Sequence, residues 1–177
     1  MVYLRSLILT IILGASALAQ AEPVEDFSFF DVDNQQSKLS DYRGKWVIAN
    51  YWAIFCSPCR VEIPDLIRFV KDNPEKVVVL GMDAGMDDTT TLKEFIEDQG
   101  INYPIIPTQD STMYGFGEVR GIPTSFVISP EGELVDTHIG ILSYNDLESI
   151  VNPEKGIKGD REPKEEPTFW NKLFDWS

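Results

Sequence analysis

The chain contains only two cysteines, Cys56 and Cys59, and they lie three positions apart in a sequence of 177 residues. The segment before them, Trp46–Trp52, is mostly apolar and aromatic, which is typical of a strand buried in the centre of a sheet. A helix is predicted to begin at Cys56 and to continue to about Lys71. At the start of a helix this spacing places the two sulfurs one turn apart, close enough to close a small disulfide ring.

The two cysteines are expected to have different roles. Unpaired N–H groups and the positive end of the helix dipole stabilise a thiolate at Cys56. Cys59, one turn inside the helix, is more shielded, so we interpret Cys56 as the nucleophile and Cys59 as the resolving thiol. Pro58 lacks an N–H, which does no harm in a first turn. Pro64 removes a hydrogen bond inside the helix and therefore either kinks the helix or ends it at Ile63.

Two other interpretations of the cysteine pair are weaker. A disulfide between residues three apart constrains little chain entropy, so it would add little stability. A metal site would need two more soft ligands, and the chain has no third cysteine and a single histidine. The pattern therefore favours redox catalysis, and neither a metal nor another cofactor is expected.

The rest of the chain alternates between apolar runs and amphipathic segments. A hairpin is predicted at residues 23–37, and one helical turn follows it at residues 39–45. The later predicted elements are strands at 77–82 and 105–106, a helix capped by Thr90 or Thr91 that ends at Gly100, an antiparallel hairpin of 124–128 with 134–139, and a helix at 144–151 that Ser143 opens. This order, a βαβ half and then a ββα half, predicts an α/β fold in which a mixed sheet has helices on both faces.

The charge balance limits the choice of partners. The chain has 15 Lys and Arg residues against 29 Asp and Glu residues, so its formal net charge is −14. Binding of nucleic acid through a basic surface is disfavoured, because neutralising phosphates requires clustered cations. An acidic protein of this kind fits a partner that has a positive patch.

The first residues are typical of a secretion signal. Arg5 is the only charged residue before Glu22, an apolar run follows it, and small residues at 17–21 satisfy a signal peptidase. The apolar run is shorter than the roughly 20 residues that span a bilayer, which favours cleavage over a membrane anchor. We therefore expect a periplasmic or otherwise extracytoplasmic protein that does not associate with the membrane after cleavage.

The predicted organisation is a signal peptide at 1–21, one domain at 22–152 and a tail at 153–177. The tail begins as a linker rich in Lys, Glu, Pro and Gly and ends in an aromatic segment at 168–177. That segment is expected either to dock on the domain or to bind a partner. A membrane interface is the weakest option, because few cationic residues lie nearby.

Three groups of residues match the sequence motifs of one protein family. They are Trp52-Ala53-x-x-Cys56-x-Pro58-Cys59-Arg60, then Pro64, then Gly121-Ile122-Pro123-Thr124. Together they resemble the thioredoxin superfamily and, more narrowly, its TlpA/ResA/DsbE-like exported thiol-disulfide oxidoreductases. The resemblance implies a thioredoxin fold with an added N-terminal β-hairpin, a cis-proline at Pro123, and Trp52 packed beside the active site.

The resemblance also implies a function and its site. Substrate contacts are expected at Trp52, Ser57, Pro58, Ile122 and Pro123. The dithiol would exchange with disulfides of other proteins, often as a reductant in cytochrome c maturation, and a membrane thiol transporter would keep it reduced. From the residues alone, Pro123 is either an ordinary first residue of a strand or a cis-proline that leaves the Ile122 backbone free to pair with a substrate.

The chain departs from the family pattern near the cysteine pair. The strand position that carries a buried Asp in thioredoxin is Asn50, which does not titrate. Where ResA-like members place a Glu after the next strand, this chain has Met86, so either the neighbouring Asp87 substitutes for it or the function is absent. Glu62, three residues after Cys59, either tunes the pKa of the pair or is a solvated residue on the helix surface.

The sequence therefore predicts a protein-disulfide oxidoreductase, and the family resemblance favours one that reduces its substrates. One alternative is a disulfide-forming oxidase or isomerase, which uses the same residues at a different reduction potential. The other is a chaperone or Cu(I)-binding module in which Cys56 and Cys59 hold the metal. Met82 and Met86 are the only Met pair near the cysteines, so the sequence gives little support for a Cu(I) site.

Overall fold

The structure, a computed structural model, describes residues 22–152, and the signal peptide and tail predicted at 1–21 and 153–177 lie outside the described residues. Its strands are β1 (Glu22–Pro23), β2 (Ser28–Phe30), β3 (Gln36–Lys38), β4 (Trp46–Trp52), β5 (Val77–Asp83), β6 (Ile105–Ile106), β7 (Thr124–Ile128) and β8 (Glu133–Ile139). Its helices are α1 (Ser57–Asp72), α2 (Thr89–Gln99), α3 (Asp110–Met113) and α4 (Tyr144–Val151), with a 3₁₀ turn at Leu39–Tyr42.

Strand β4 lies in the middle of the larger sheet, whose order is β1-β8-β7-β4-β5-β6. It pairs parallel with β5 and antiparallel with β7. Six of its seven residues are buried, because both edges are paired and both faces are covered. The β4–α1–β5 connection places the start of α1 at the carboxyl end of β4, where ligands bind in open parallel sheets.

One face of the sheet is covered by the three long helices. Residues of α1, α2 and α4 share a buried cluster with β4 there, including Leu66, Phe69, Leu92, Leu147 and Ile48. The other face is covered by the β2–β3 hairpin, the 3₁₀ turn and the segment around α3, with Phe29, Leu39 and Phe116 in the core. The predicted mixed sheet with helices on both faces is confirmed. Within residues 22–152, no helix is long and apolar enough to cross a membrane.

The predicted N-terminal hairpin is the small antiparallel sheet of β2 and β3. Its turn contains Asn34, whose φ of 60° is the left-handed conformation that Asn adopts more readily than most residues. The hairpin buries Phe29, which stacks on Tyr42 of the 3₁₀ turn with ring centroids 6.4 Å apart. An aromatic contact therefore ties the added hairpin to the rest of the fold.

The helix ends differ from the sequence predictions in three ways. Helix α1 begins at Ser57 with Cys56 as its N-cap, and it is continuous through Pro64, so the interpretation that ends it at Ile63 is wrong. The N-cap of α2 is Asp88 and not one of the threonines, because a carboxylate accepts well from the first N–H groups of a helix. Helix α3 is too short to produce an apolar period and is not indicated by the sequence.

Candidate functional site

The two cysteines form a disulfide at the N-terminus of α1. The S–S distance is 1.98 Å and the Cα atoms are 5.3 Å apart, so the disulfide ring expected from the spacing is present. The N–H of Cys59 donates to the Cys56 sulfur at 3.2 Å. Cys59 is fully buried, whereas Cys56 retains 7% of its surface. Cys56 is therefore the more accessible cysteine, at a position where the helix N-terminus stabilises a thiolate.

A buried carboxyl lies one helical turn after the disulfide. Glu62 is 1% exposed, so the interpretation of Glu62 as a solvated surface residue is wrong. Its Oε1 accepts a hydrogen bond from Asn50 Nδ2 at 2.8 Å, and its Oε2 accepts from the N–H of Leu142 at 2.9 Å. The Asn50 nitrogen also donates to Ser125 Oγ at 3.0 Å. Donors from two distant parts of the chain therefore hold this carboxyl in place, and Ser125 positions one of them.

The environment of Glu62 favours its neutral form. Burial raises the pKa of Glu62 above the usual carboxyl value, and the hydrogen bonds from Leu142 and Asn50 oppose this only in part. Cys59 and Glu62 are three residues apart on the buried face of α1, a spacing that puts Cβ atoms about 5–6 Å apart. A carboxyl with a raised pKa on the same helix face is a candidate to accept the proton of that thiol, directly or through one water.

Trp52 packs on the inner side of the site. Its side chain is 1% exposed and belongs to the same buried cluster as both cysteines. Its ring stacks on Phe95 of α2 with centroids 5.3 Å apart, and the guanidinium of Arg60 lies 5.7 Å from the Phe95 centroid. Trp52 is thus packed beside the disulfide, as the family resemblance implies, but it offers almost no surface for direct contact with a substrate.

The Ile122–Pro123 peptide bond is cis, as the family resemblance implies. Pro123 is buried, and Ile122 is half-buried and packs against the cluster that contains both cysteines. The pairing of β7 with β4 and β8 begins at Thr124, so Ile122 lies just outside the strand ladder. Ser57 and Pro58, between the cysteines, are exposed.

A groove of about 390 Å³ adjoins Ile122 on the side of α3. Apolar side chains line most of it, among them Met82, Met86 and Tyr114, and Arg120 contributes a cation. Sequence reasoning missed this groove, because three segments distant along the chain form it. Phe55, directly before Cys56, was missed as well: it is 74% exposed, and its apolar character gave no sign of that.

Two carboxyls lie close together where β5 ends, Asp83 as its last residue and Asp87 in the loop that follows. The sequence analysis indicated only Asp87 as a site residue. Asp83 is 4% exposed, and its carboxylate accepts from the N–H of Gly85 at 2.8 Å and from that of Asp87 at 3.1 Å. Burial raises the pKa of Asp83. Asp87 Oδ2 is buried and has no hydrogen-bond partner among residues 22–152, while Met86 is exposed. The position of Asp83 at the end of a buried strand is the signal that would have found it.

In the part of the chain that the structure describes, no group of three or more His, Cys, Asp or Glu side chains is arranged to hold a metal ion.

Residues 21–137 match the model of the AhpC/TSA family. The chain is similar to thiol-disulfide oxidoreductase ResA of Bacillus subtilis (strain 168), with 25% identity over 140 residues that cover 78% of each protein.

Two further comparisons extend this likeness. ResA of Bacillus thuringiensis (strain Al Hakam) is 30% identical over 127 residues, which cover 71% of this chain and 73% of that protein. Among solved structures, a thiol:disulfide interchange protein of the thioredoxin family from Chlorobium tepidum TLS is 30% identical, with a TM-score of 0.67. That match covers 75% of this chain and 95% of the other.

Proposed function

This chain belongs to the AhpC/TSA family and is a ResA-like thiol-disulfide oxidoreductase of the thioredoxin superfamily, and on that premise we propose that it reduces disulfides of extracytoplasmic proteins. One observation carries the proposal: the Cys56–Cys59 disulfide caps α1, and the buried Glu62 lies one turn beyond it. In its dithiol form such a site combines an accessible thiolate, a shielded resolving thiol and a proton acceptor.

The proposed reaction has two exchange steps. The Cys56 thiolate attacks one sulfur of a substrate disulfide, and the other substrate sulfur leaves as a thiolate that takes a proton from solvent. Cys59 then gives its proton to Glu62 and attacks the Cys56 sulfur, which releases the second substrate thiolate. Two electrons pass from the protein to the substrate, and the product is the Cys56–Cys59 disulfide seen here.

Ile122 and Pro123 are proposed to hold the substrate segment, with Ser57 and Pro58 as the facing surface. The position of Ile122 just outside the strand ladder supports this, because an extended segment can pair with a free backbone edge. Asp87 is a second candidate, after Glu62, for tuning the pKa of the cysteines. Trp52 is proposed to support the site from beneath, since it is buried.

The location and redox partners follow from the same proposal. Residues 1–21 are proposed to be a cleaved signal peptide, which delivers the domain at 22–152 to a periplasmic or similar compartment. There a membrane thiol transporter, or another redox partner, resets the disulfide, and a role like that in cytochrome c maturation is the proposed setting. The secreted thiol-disulfide isomerase of Corynebacterium glutamicum, which is 25% identical with a TM-score of 0.65, supports an extracytoplasmic location.

Trapping of mixed disulfides tests the proposed roles. Cys59→Ser leaves the attacking thiol and removes the resolving one, so we expect this variant to accumulate covalent adducts through Cys56 in the native compartment. Cys56→Ser is the matched control and should trap nothing. If Cys59→Ser forms no adduct, the exchange mechanism is wrong; identification of the trapped proteins names the substrates.

The direction of electron flow is tested by the reduction potential of the pair. A value near that of thioredoxin, about −270 mV, would support a reductant, whereas a value near that of DsbA, about −120 mV, would indicate a disulfide-forming oxidase. The measurement is equilibration of the purified protein in glutathione or dithiothreitol buffers of known poise.

A further inference from the structure

The hydrogen bonds of Asn50 have an unusual arrangement. One atom, Nδ2, makes both side-chain contacts: it donates to Glu62 Oε1 at 2.8 Å and to Ser125 Oγ at 3.0 Å. All three side chains are buried, with exposures of 1% for Asn50 and Glu62 and zero for Ser125. The orientation of the Asn50 amide is therefore set by what its two neighbours can accept.

These two hydrogen bonds match the charged form of Glu62, although burial favours the neutral form. Each oxygen of the carboxylate then accepts one N–H group, from Asn50 and from Leu142. If Glu62 carried a proton on Oε1, that O–H would point at an N–H donor, and a buried donor without an acceptor is costly. Transfer of the Cys59 proton to Glu62 would then be unfavourable, because protonated Glu62 would face a second donor.

Ser125 offers a way to avoid this conflict, because a hydroxyl can either accept or donate a hydrogen bond. Rotation of the Asn50 side chain about χ2 by half a turn exchanges Nδ2 and Oδ1 with almost no change of shape, and this torsion is soft and roughly two-fold. Oδ1 would then accept from the Glu62 O–H and from the Ser125 O–H. The N–H of Leu142 would still donate to Oε2.

We propose that Asn50 is a protonation-linked amide switch: it donates to Glu62 and Ser125 when Glu62 is charged, and it turns over to accept from both when Glu62 holds a proton. Asn50 and Ser125 are thus positioning residues that keep Glu62 fully hydrogen-bonded in both states. The inference rests on the proposed role of Glu62 as the proton acceptor of Cys59. An Asp at position 50 could not act in this way, because it has no N–H to donate.

The other ionisable groups around Glu62 are few. Cys59 lies on the same helix and is held in the disulfide in the oxidised protein. His138 of β8 acts on Glu62 electrostatically and favours its charged form. Tyr103, before β6, is buried. Burial is the main cause that raises the pKa of Tyr103, and the charge of Glu62 adds to it, so Tyr103 stays neutral where Glu62 titrates. Titration of Glu62 in the oxidised protein is therefore measured with Cys59 held in the disulfide, and His138 is the neighbouring charge that the fit must include.

Nuclear magnetic resonance of the isotopically labelled, oxidised full chain provides the test, from roughly pH 4 to 9 so that the usual and the raised carboxyl range are both covered. We expect through-space contacts from the Asn50 amide protons to Ser125 and Glu62 at high pH. These contacts should be lost on acidification with the same midpoint as the Glu62 carboxyl carbon. Retention of the contacts while Glu62 titrates, or no titration of Glu62 in this range, would overturn the proposal.

Two variants test the switch through the orientation of Asn50 and the pKa of Glu62. Neither quantity would change as described below if Asn50 and Ser125 only stabilised the fold. Glu62→Gln should hold Asn50 in the turned orientation at every pH, because the Gln amide donates where the carboxylate accepted. In Ser125→Ala the charged state loses the acceptor of one Asn50 N–H, whereas the turned state loses only one of the two donors to Asn50 Oδ1, so the pKa of Glu62 should rise by roughly half a unit to one unit. An unchanged pKa, or a donating Asn50 in Glu62→Gln, would contradict the switch.

Ser129→Ala is the matched control, since Ser129 is also buried but follows β7 and has no contact with Glu62. It should leave the Glu62 midpoint where it is. These measurements need neither substrate nor a free thiol. Failure of the amide switch is therefore distinguishable from failure of the proposed reductase activity, which would appear as absent adducts in Cys59→Ser.

Discussion

Glu62 is the residue whose surroundings say most about the chemistry of this site. Its carboxyl is held by donors from β4 and from the loop before α4, while desolvation opposes its charge. Proton transfer is efficient when the pKa of the acceptor lies near the working pH. We therefore propose that this carboxyl, one helical turn from Cys59, accepts the proton that the resolving thiol must lose.

Substitution of Glu62 by Gln should change how stability depends on pH. Because burial raises the pKa of Glu62 in the folded state, the folded protein binds this proton more tightly than the unfolded chain. Stability of the wild type therefore falls as pH rises from the usual carboxyl value through the raised one, and Glu62→Gln removes that fall. We expect the free energy of unfolding of the variant, relative to wild type, to increase with pH across this window.

Urea unfolding of the oxidised proteins at a series of pH values measures this difference. Glu97→Gln, on the exposed surface of α2, is the control for loss of one negative charge. A difference between Glu62→Gln and wild type that stays constant with pH would show that Glu62 does not titrate with a raised pKa in the folded protein.

Helices α1, α2 and α4 begin at side-chain caps, and the two caps nearest the site differ in kind. Helix α1 begins at Cys56, whose sulfur accepts from the N–H of Cys59, so the reactive atom and the cap are the same group. Helix α2 begins at Asp88, whose carboxylate accepts from Thr90, from Thr91 and from the Thr91 hydroxyl. The first cap is available for chemistry, whereas the second only stabilises a helix.

Removal of the α2 cap should destabilise the protein modestly. Asp88→Ala leaves the first N–H groups of α2 without their acceptor and removes a negative charge from the positive end of the helix. We expect a loss of about 1 kcal/mol in the free energy of unfolding, measured by urea titration. Asp98→Ala, near the other end of the same helix, is the matched control and should be neutral or slightly stabilising. Equal losses in the two variants would contradict the capping role of Asp88.

The described chain, residues 22–152, contains the complete sheet, the helices on both faces and the disulfide. We therefore propose that this stretch is the folding unit and that the tail is not required for its core. A protein of residues 22–152 should unfold at the same temperature as one of residues 22–177, as measured by circular dichroism. A clearly lower midpoint for the shorter protein would show that the tail docks on the domain, one of the two roles open to its aromatic segment.

The strong negative charge of the whole molecule should select among substrates. With a formal net charge of −14, encounter with a basic partner is accelerated at low ionic strength and screened by salt. We expect the second-order rate of reduction of a basic disulfide peptide to fall by roughly tenfold between low and high salt. An acidic peptide with the same disulfide loop is the control, and its rate should rise. Identical salt dependence for both peptides in stopped-flow assays would exclude steering by charge.

Local features of the sequence were sufficient for the architecture and for the reactive pair. The strand β4, the hairpin of β7 and β8, helix α4 and the cysteine pair at the end of a strand all depend on residues a few positions apart, whose periods and spacings can be read directly. The family resemblance then implied the cis-proline at Pro123, which the structure contains. The sequence also singled out Glu62, three residues after Cys59, but left open whether its side chain is solvated or tunes the cysteine pair; the structure buries it on the inner face of α1.

The order of the long elements and the dithiol chemistry follow from the amino-acid sequence alone, because they depend on short-range periodicity and on a spacing of three residues. The burial of Glu62 becomes visible only in the folded chain, since a helical glutamate has the same local pattern whether it is solvated or buried. Its burial depends on Leu142, which is 80 residues away, and on Asn50, which in turn contacts Ser125, 75 residues further along. Contacts of that range arise when the sheet assembles, and they set the protonation of the site through desolvation and hydrogen bonding.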